Sequence, residues 1–288
     1  MSSSGWAEKF GFSRNPFKDT LSTDLFYRTR QHEEALVKLR IGIEDCHALI
    51  LLSGASGTGK TLLSQLVVRE LGERFATVIV PVYPEMGKGT LLDRILAEAV
   101  PERRQAAKSA DQLLRQLQET ALALYQSGRR LVIVIDEAHF LKADALHILR
   151  TLSNLETEQE KLVTVLLIAE KGLSRRLAHP SYASLRSRIT FAVQLEPLQQ
   201  RETEQFIKYR LLKCGASPSL LTCDAYTEAH RLSNGIPREI NRLLYNGFLE
   251  AMSGNHPVLT GALMATAGRK AGLYHVPHAS IATQSVAP

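Results

Sequence analysis

The chain has 288 residues, 44% of them hydrophobic, and Lys+Arg 35 against Asp+Glu 29 give a formal charge of +6. That apolar share excludes a disordered chain, and the length excludes a minidomain held by covalent staples, so one large domain or two modest ones are expected. Three cysteines, Cys46, Cys214 and Cys223, have no CxxC pairing and no histidine at zinc-finger spacing, which points away from a disulfide framework or structural zinc and toward a reducing compartment.

In chain order, the opening MSSSGWAEKFGF has neither a long apolar core nor a small-residue cleavage site, so it does not read as a secretory signal. No apolar run approaches the roughly 18 to 20 residues that span a bilayer, and a cytoplasmic chain is expected. Five stretches of strand length follow: residues 47–53, 75–82, 131–135, 162–169 and 189–195. Each is nearly continuous in apolar character, as strands covered on both faces by a parallel sheet's helices are. Helical patterns separate them. One occupies 61–71. Another, over 111–126, carries Leu113, Leu117 and Leu124 on one face, with Ser109 and Gln112 as a capping box and Gly128 as a stop. A third, over 143–155, aligns Ile148, Leu149, Leu152 and Leu155. After Leu195 the period is helical only, with helices expected over 200–213, 224–232 and 238–252. The domain plan is a lead-in over 1–46, an α/β core over 47–196, a small helical domain over 197–252 and a flexible tail over 253–288, the last ten or so residues disordered. No run of five like charges occurs, so the net charge fits an ordinary basic surface as well as an anionic partner.

The chemistry is concentrated in two strings. Gly54, Ala55, Ser56, Gly57, Thr58, Gly59, Lys60 and Thr61, with Leu62 continuing into a helix, complete the GxxxxGK[ST] pattern between a strand and a helix. Its glycines let backbone N–H groups turn onto a polyphosphate, and the helix start adds partial positive charge. Lys60 is expected to reach the β and γ phosphates of ATP, and the Thr61 hydroxyl to ligate Mg²⁺. The second string, 131–137, is a buried strand ending in Asp136 and Glu137 at the edge where open α/β sheets bind ligands. Asp136 is placed to hold Mg²⁺ through water and Glu137 to polarise the attacking water. Three further residues have two readings each. Arg188, with Arg186 beside it, is either an arginine finger presented to a neighbouring subunit or a surface ion-pair partner. Arg238, at a helix start, either folds over the nucleotide or is solvated. Glu170, at the end of the fourth strand, either senses the γ phosphate or orients water, or is a simple loop carboxylate.

Together these strings resemble AAA+ ATPases, and within them the GspA/ExeA/MshM-like family associated with type II secretion and MSHA-type pilus biogenesis. The likeness runs from about Phe10 to Met252. It rests on FGFSRNPF at 10–17, LFY at 25–27 followed by Gln31 and His32, the phosphate loop, IDEAH at 135–139, LSNLET at 152–157, EKL at 160–162, Arg188 with Ile189, and GIPR at 235–238. It implies a P-loop NTPase of the AAA+/ASCE type, with a parallel five-stranded sheet between helices and a small all-α lid. It also implies ATP hydrolysis with Mg²⁺ in a ring or filament oligomer, Arg188 as finger, Arg238 as second sensor, and a lead-in packed near the adenine pocket. Aromatic side chains in that lead-in read more naturally as core anchors than as base-stacking groups. Two departures from the family stand out: Glu170 replaces a frequent amide, and a short polar tail stands where secretion-type members continue into a membrane span, so membrane attachment is not expected to be shared. Related ATPases that regulate transposition, binding DNA and a transposase, are one alternative to secretion or pilus-assembly partners, and a non-hydrolysing nucleotide-binding scaffold is another. The charge suits DNA phosphates, but no base-reading helix-turn-helix and no aromatic single-strand platform is recognisable.

Overall fold

The computed structural model describes residues 5–18, 20, 23–102 and 109–273. Its elements, in order, are α1 (Gly5–Lys9), α2 (Arg30–Glu44), β1 (Leu49–Gly54), α3 (Lys60–Glu70), β2 (Phe75–Pro81), α4 (Lys88–Ala99), α5 (Ala110–Gln126), β3 (Arg130–Asp136), α6 (Ala143–Leu152), β4 (Val163–Ala169), α7 (Lys171–Leu177), α8 (Ala183–Arg186), β5 (Ile189–Leu195), α9 (Gln200–Lys213), α10 (Cys223–Ser233), α11 (Pro237–Ser253) and α12 (Gly261–Lys270). The chain divides into two compact units: Leu21–Pro197, and Met1–Thr20 joined with Leu198–Pro288.

The first unit is a five-stranded sheet in the order β2-β3-β4-β1-β5, with every neighbouring pair parallel. The pleat sorts alternate residues to opposite faces. Leu49, Leu51, Ile133, Ile135, Val165 and Leu167 face a core shared with Leu92 and Ile95 of α4, Leu117 of α5 and Leu149 of α6. Ile50, Leu52, Val132, Val134, Leu166 and Ile168 face a second core shared with Leu36, Leu39 and Ile43 of α2 and Leu63 and Val67 of α3. Covering on both sides explains why β1, β3 and β4 read as uninterrupted apolar runs, while the edge strands β2 and β5 alternate between buried and open positions. Gly42 of α2 is part of this fit, because a Cβ there would lie 2.6 Å from Cδ1 of Ile50.

All five expected strands are present. The helix expected over 111–126 begins with the capping box anticipated for it: Ser109 Oγ accepts from the Gln112 N–H at 3.2 Å, and Gln112 Oε1 accepts from the Ser109 N–H at 3.2 Å. Helices α2 and α4 had not been anticipated. Among the described residues no helix is long and apolar enough to cross a membrane.

The second unit departs from the expected domain plan in two places. The lead-in does not form one segment through residue 46, because the chain up to Thr20 belongs with the C-terminal helices and the chain from Leu21 with the sheet. Aromatic packing accounts for this. Phe248 of α11 is fully buried, and the rings of Trp6, Phe10, Phe12 and Phe17 lie 6.0, 5.0, 5.2 and 5.9 Å from its own. The lead-in aromatics are thus core anchors. Hydrogen bonds to backbone carbonyls reinforce them: Ser13 N–H donates to Cys214 O at 2.8 Å, and the buried Arg210 side chain donates through Nη1 to Pro16 O at 2.7 Å. Burial draws the Arg210 pKa down to about 10, and its guanidinium lies over the Phe206 ring at 4.8 Å.

The expectation of a flexible tail from Ser253 also needs correction. Residues Gly261–Lys270 form α12, which is capped by Thr260 and buries Met264 and Ala267 completely. Small residues make that docking possible: a Cβ on Gly247 of α11 would lie only 3.1 Å from Met264 Sδ. The segment before α12 is tied down by Leu259 N–H to Leu220 O at 2.7 Å and Thr222 N–H to Leu259 O at 3.1 Å. The last ten residues, expected to be disordered, lie outside the described residues. Because Phe248 joins four aromatic rings from the other end of the chain, Phe248→Ala is expected to destabilise this unit by about 3 to 5 kcal/mol. Urea unfolding followed by the emission of Trp6, the single tryptophan, measures the loss.

Candidate functional site

In a parallel sheet all strands point the same way, so the loops after β1, β3 and β4 gather at one edge. Beyond β1, Gly57 and Gly59 take left-handed conformations (φ 78° and 97°), which a side chain would strain, and Gly59 caps the start of α3. Gly54 is required sterically, since a Cβ there would meet Leu195 O at 2.7 Å. The buried Thr58 closes the turn, its Oγ1 donating to Ala55 O at 2.9 Å. Lys60 is only 6% exposed, and its ammonium donates to Gly54 O at 3.2 Å and Ala55 O at 2.9 Å. These contacts hold the charge against the inside of the loop.

The next side chain, Thr61, donates from Oγ1 to Asp136 Oδ2 at 2.8 Å, joining the start of α3 to the end of β3. Asp136 Oδ1 accepts from the Glu137 N–H at 2.9 Å. Glu137 itself sits in the left-handed region at φ 57°, ψ 35°, an uncommon place for a residue with a long side chain. Hydroxyl and carboxylate oxygens side by side are the donor set a hard divalent cation takes, and the left-handed glycines before a helix start are the cradle a polyphosphate takes, so both ATP and Mg²⁺ fit the residues present.

The edge is braced from α2 and α7. Gln31 makes a reciprocal pair with the backbone of Glu196, each bond 3.0 Å, and Lys171 bonds the Glu196 carboxylate at 2.6 Å. The Lys171 hydrogen bond, followed by one from Gln194, holds that carboxyl below the ordinary glutamate range.

A family model described as an AAA domain matches residues 44–177. The chain carries an AAA domain. Over 275 residues, 93% of its length, the chain is 31% identical to General secretion pathway protein A of Aeromonas hydrophila, and is GspA-like over that span. It covers 49% of that protein, about half its length. Similar solved structures include the Aeropyrum pernix ORC2 protein in its ADPNP-ADP complexes, at TM-score 0.65 and 19% identity over 89% of this chain and 71% of that one. A chain of Drosophila ORC bound to DNA matches at TM-score 0.68 and 17% identity over 88% and 64%. Thermotoga maritima RuvB matches at 0.53 and 19% over 88% and 73%. At these identities what is shared is the fold, that of P-loop AAA+ proteins.

The AAA domain brings Lys60, Thr61, Asp136, Glu137 and Glu170 to the same edge. Arg188 is not among them. It precedes β5, whose Ile189 pairs with Leu49 at the start of β1, whereas Leu195 pairs with Gly54 at the phosphate loop. The five strand steps from Leu49 to Gly54 span roughly 16 Å, so Arg188 stands at the opposite edge from the loop of its own sheet. There it bonds Asn154 Oδ1 at 3.2 Å and Ser184 O at 2.7 Å, while Arg186 is spent on the carbonyls of Leu177 and Ala178 that end α7. Arg238 belongs to the helical unit, as the residue after Pro237 at the start of α11.

One residue of the edge carried no role in the sequence reading. His139, in the short helical turn Ala138–Phe140, sets Nδ1 3.4 Å from Glu137 Oε2 and 3.4 Å from the backbone N of Glu170. Its place two residues beyond the carboxylate in IDEAH was the available signal. For the loop, Lys60→Ala removes the buried ammonium without touching the sheet's cores. ATP affinity, read by a fluorescent nucleotide analogue, is expected to fall at least about a hundredfold with the thermal unfolding midpoint little changed.

Proposed function

We propose that the chain is a Mg²⁺-dependent ATPase that works as a nucleotide-gated oligomer, in the manner of secretion or pilus-assembly ATPases. The observation that carries the ATPase reading is the 2.8 Å hydrogen bond from Thr61 to Asp136. It unites a phosphate loop and a carboxylate strand 75 residues apart at one point on the sheet edge. The 31% identity to General secretion pathway protein A supports the secretion-type assembly role.

The residues divide the work. Backbone N–H groups of the 54–59 loop and the Lys60 ammonium neutralise the phosphates and hold them in line. Thr61 and Asp136 would hold Mg²⁺, which would supply electrostatic stabilisation of the charge on the phosphates. Glu137 accepts a hydrogen bond from the attacking water and aligns it. Arg188 stands too far from its own loop to take part, so it serves the site of a neighbouring copy, where its guanidinium meets the developing charge.

Two measurements test this scheme. Glu137→Gln is expected to keep ATP affinity within about threefold of the parent while turnover falls at least about a hundredfold, in a coupled phosphate-release assay; undiminished turnover removes Glu137 from its role. Arg188→Ala is expected to lose turnover by a similar factor. Mixing the two inactive variants restores activity, because a site formed by Glu137 of one copy and Arg188 of another is then intact. A mixture as inactive as its parts rules out action between copies.

A further inference from the structure

His139 lies between two groups that make opposite demands on one atom. Glu137 Oε2, a carboxylate oxygen, can only accept from Nδ1, whereas the Glu170 N–H can only donate to it. An imidazole nitrogen carrying a proton serves the first, and one with a free lone pair serves the second; no state of the ring satisfies both. Both separations are 3.4 Å, longer than the usual 2.9 to 3.0 Å of an N–H to O bond, and of the two only the contact from the Glu170 N–H to Nδ1 has hydrogen-bond geometry, so the ring stands in its Glu170-bonded arrangement with Glu137 Oε2 within reach. The surroundings limit where it can go. Its side chain is 17% exposed, and the Phe140 ring lies 4.1 Å away, whereas the Glu137 side chain is 43% exposed on a left-handed backbone.

We propose that His139 is a positioning residue that passes Nδ1 between two partners, the Glu137 carboxylate when Nδ1 is protonated and the Glu170 backbone when it is not, so that the reach of Glu137 is coupled to the junction of β4 and α7. With Nδ1–H bonded to Oε2, the carboxylate is fixed with its other oxygen presented to water. With Nδ1 turned to Glu170, the carboxylate is released. The proton moves between Nδ1 and Nε2 of the same ring through solvent, so the exchange changes no net charge. This inference rests on Glu137 as the water-orienting group.

The test uses the full chain. His139→Ala is expected to lower kcat about tenfold, with KM for ATP and the affinity for a fluorescent ADP analogue within about twofold. His139→Asn sets an amide near the place of Nδ1 and is expected to recover at least half of the loss. If both variants turn over like the parent, or if His139→Asn is as slow as His139→Ala, the proposal is overturned. A second readout needs no turnover. The ¹⁵N shift of His139 Nδ1, assigned by its loss in His139→Asn, is expected to move toward the unprotonated form in Glu137→Ala, where only the Glu170 N–H remains as partner. An unmoved shift overturns the exchange. Full turnover by Glu137→Gln sinks the catalytic reading instead, and the two failures are thereby told apart.

Discussion

The hydrogen bond from Thr61 to Asp136 makes a geometric demand on everything around it. In the order β2-β3-β4-β1-β5, β1 and β3 are not neighbours, and β4 lies between them. Their ends are therefore two strand spacings apart, about 9.5 Å. Chain leaving β1 at Gly54 has to cross the end of β4 and then start a helix before Thr61 can touch Asp136. Left-handed Gly57 and Gly59 supply the turns, and the close approach at Gly54 supplies the room. Ala169, small and fully buried, ends β4 where the crossing takes place. Register contributes as well: Leu167 pairs with both Leu51 of β1 and Ile135 of β3, which brings the two functional strands to a common level. The site is thus a property of the sheet order and not of the loop alone. It lies beside β1, where successive connections leave the sheet in opposite directions, the place at which open α/β sheets accept ligands.

What was legible in the chain follows from how local its cause is. Strands covered on both faces declare themselves through runs such as 131–135 and 163–169, since no other soluble structure of that length needs so many β-branched and leucine side chains together. The loop and the strand carboxylates were legible for a related reason: glycine, lysine and threonine at fixed offsets are dictated by backbone geometry within eight residues. The composite second unit was not legible. Its organising contacts join Trp6 and Phe10 to Phe248, more than two hundred residues away, and each aromatic alone is indistinguishable from any other buried ring. Helix α12 escaped for the opposite reason. Its Ala, Gly and Thr residues have the composition of a linker, and only the approach permitted by Gly247 and the tether at Leu259 turn it into a packed element.

Helix α2 shows how a polar sequence acquires a structural function. Its exposed face carries charged residues, including Arg30, Glu33 and Glu34, yet Leu36, Leu39 and Ile43 complete one core of the sheet. Gln31 at its start takes both backbone groups of Glu196, where β5 ends beside the phosphate loop. A planar amide offers one donor and one acceptor side by side, which is what an unpaired peptide unit at a strand end requires. Lys171 completes the brace from α7, so the rim next to the loop is held from two helices while the loop itself remains glycine-rich.

The edge is consequently not uniform in stiffness. Lys60, Thr61 and Asp136 are engaged through bonds of 2.8 to 3.2 Å with one another or with the loop backbone, short enough to fix their positions before any ligand arrives. Glu137, His139 and Glu170 meet only at 3.4 Å, where the energy of a hydrogen bond is small and the cost of exchanging partners is correspondingly low. A rigid binding half favours affinity, because little ordering remains to be done when phosphates enter. A loosely held half favours control, because weak contacts can be redistributed by small displacements at the end of β4 or in the turn after β3. The left-handed backbone of Glu137 belongs to this second half. It sets the carboxylate apart from Asp136 although the two residues are adjacent in sequence, so one strand end presents both a hydrogen-bonded carboxylate and a less tightly held one.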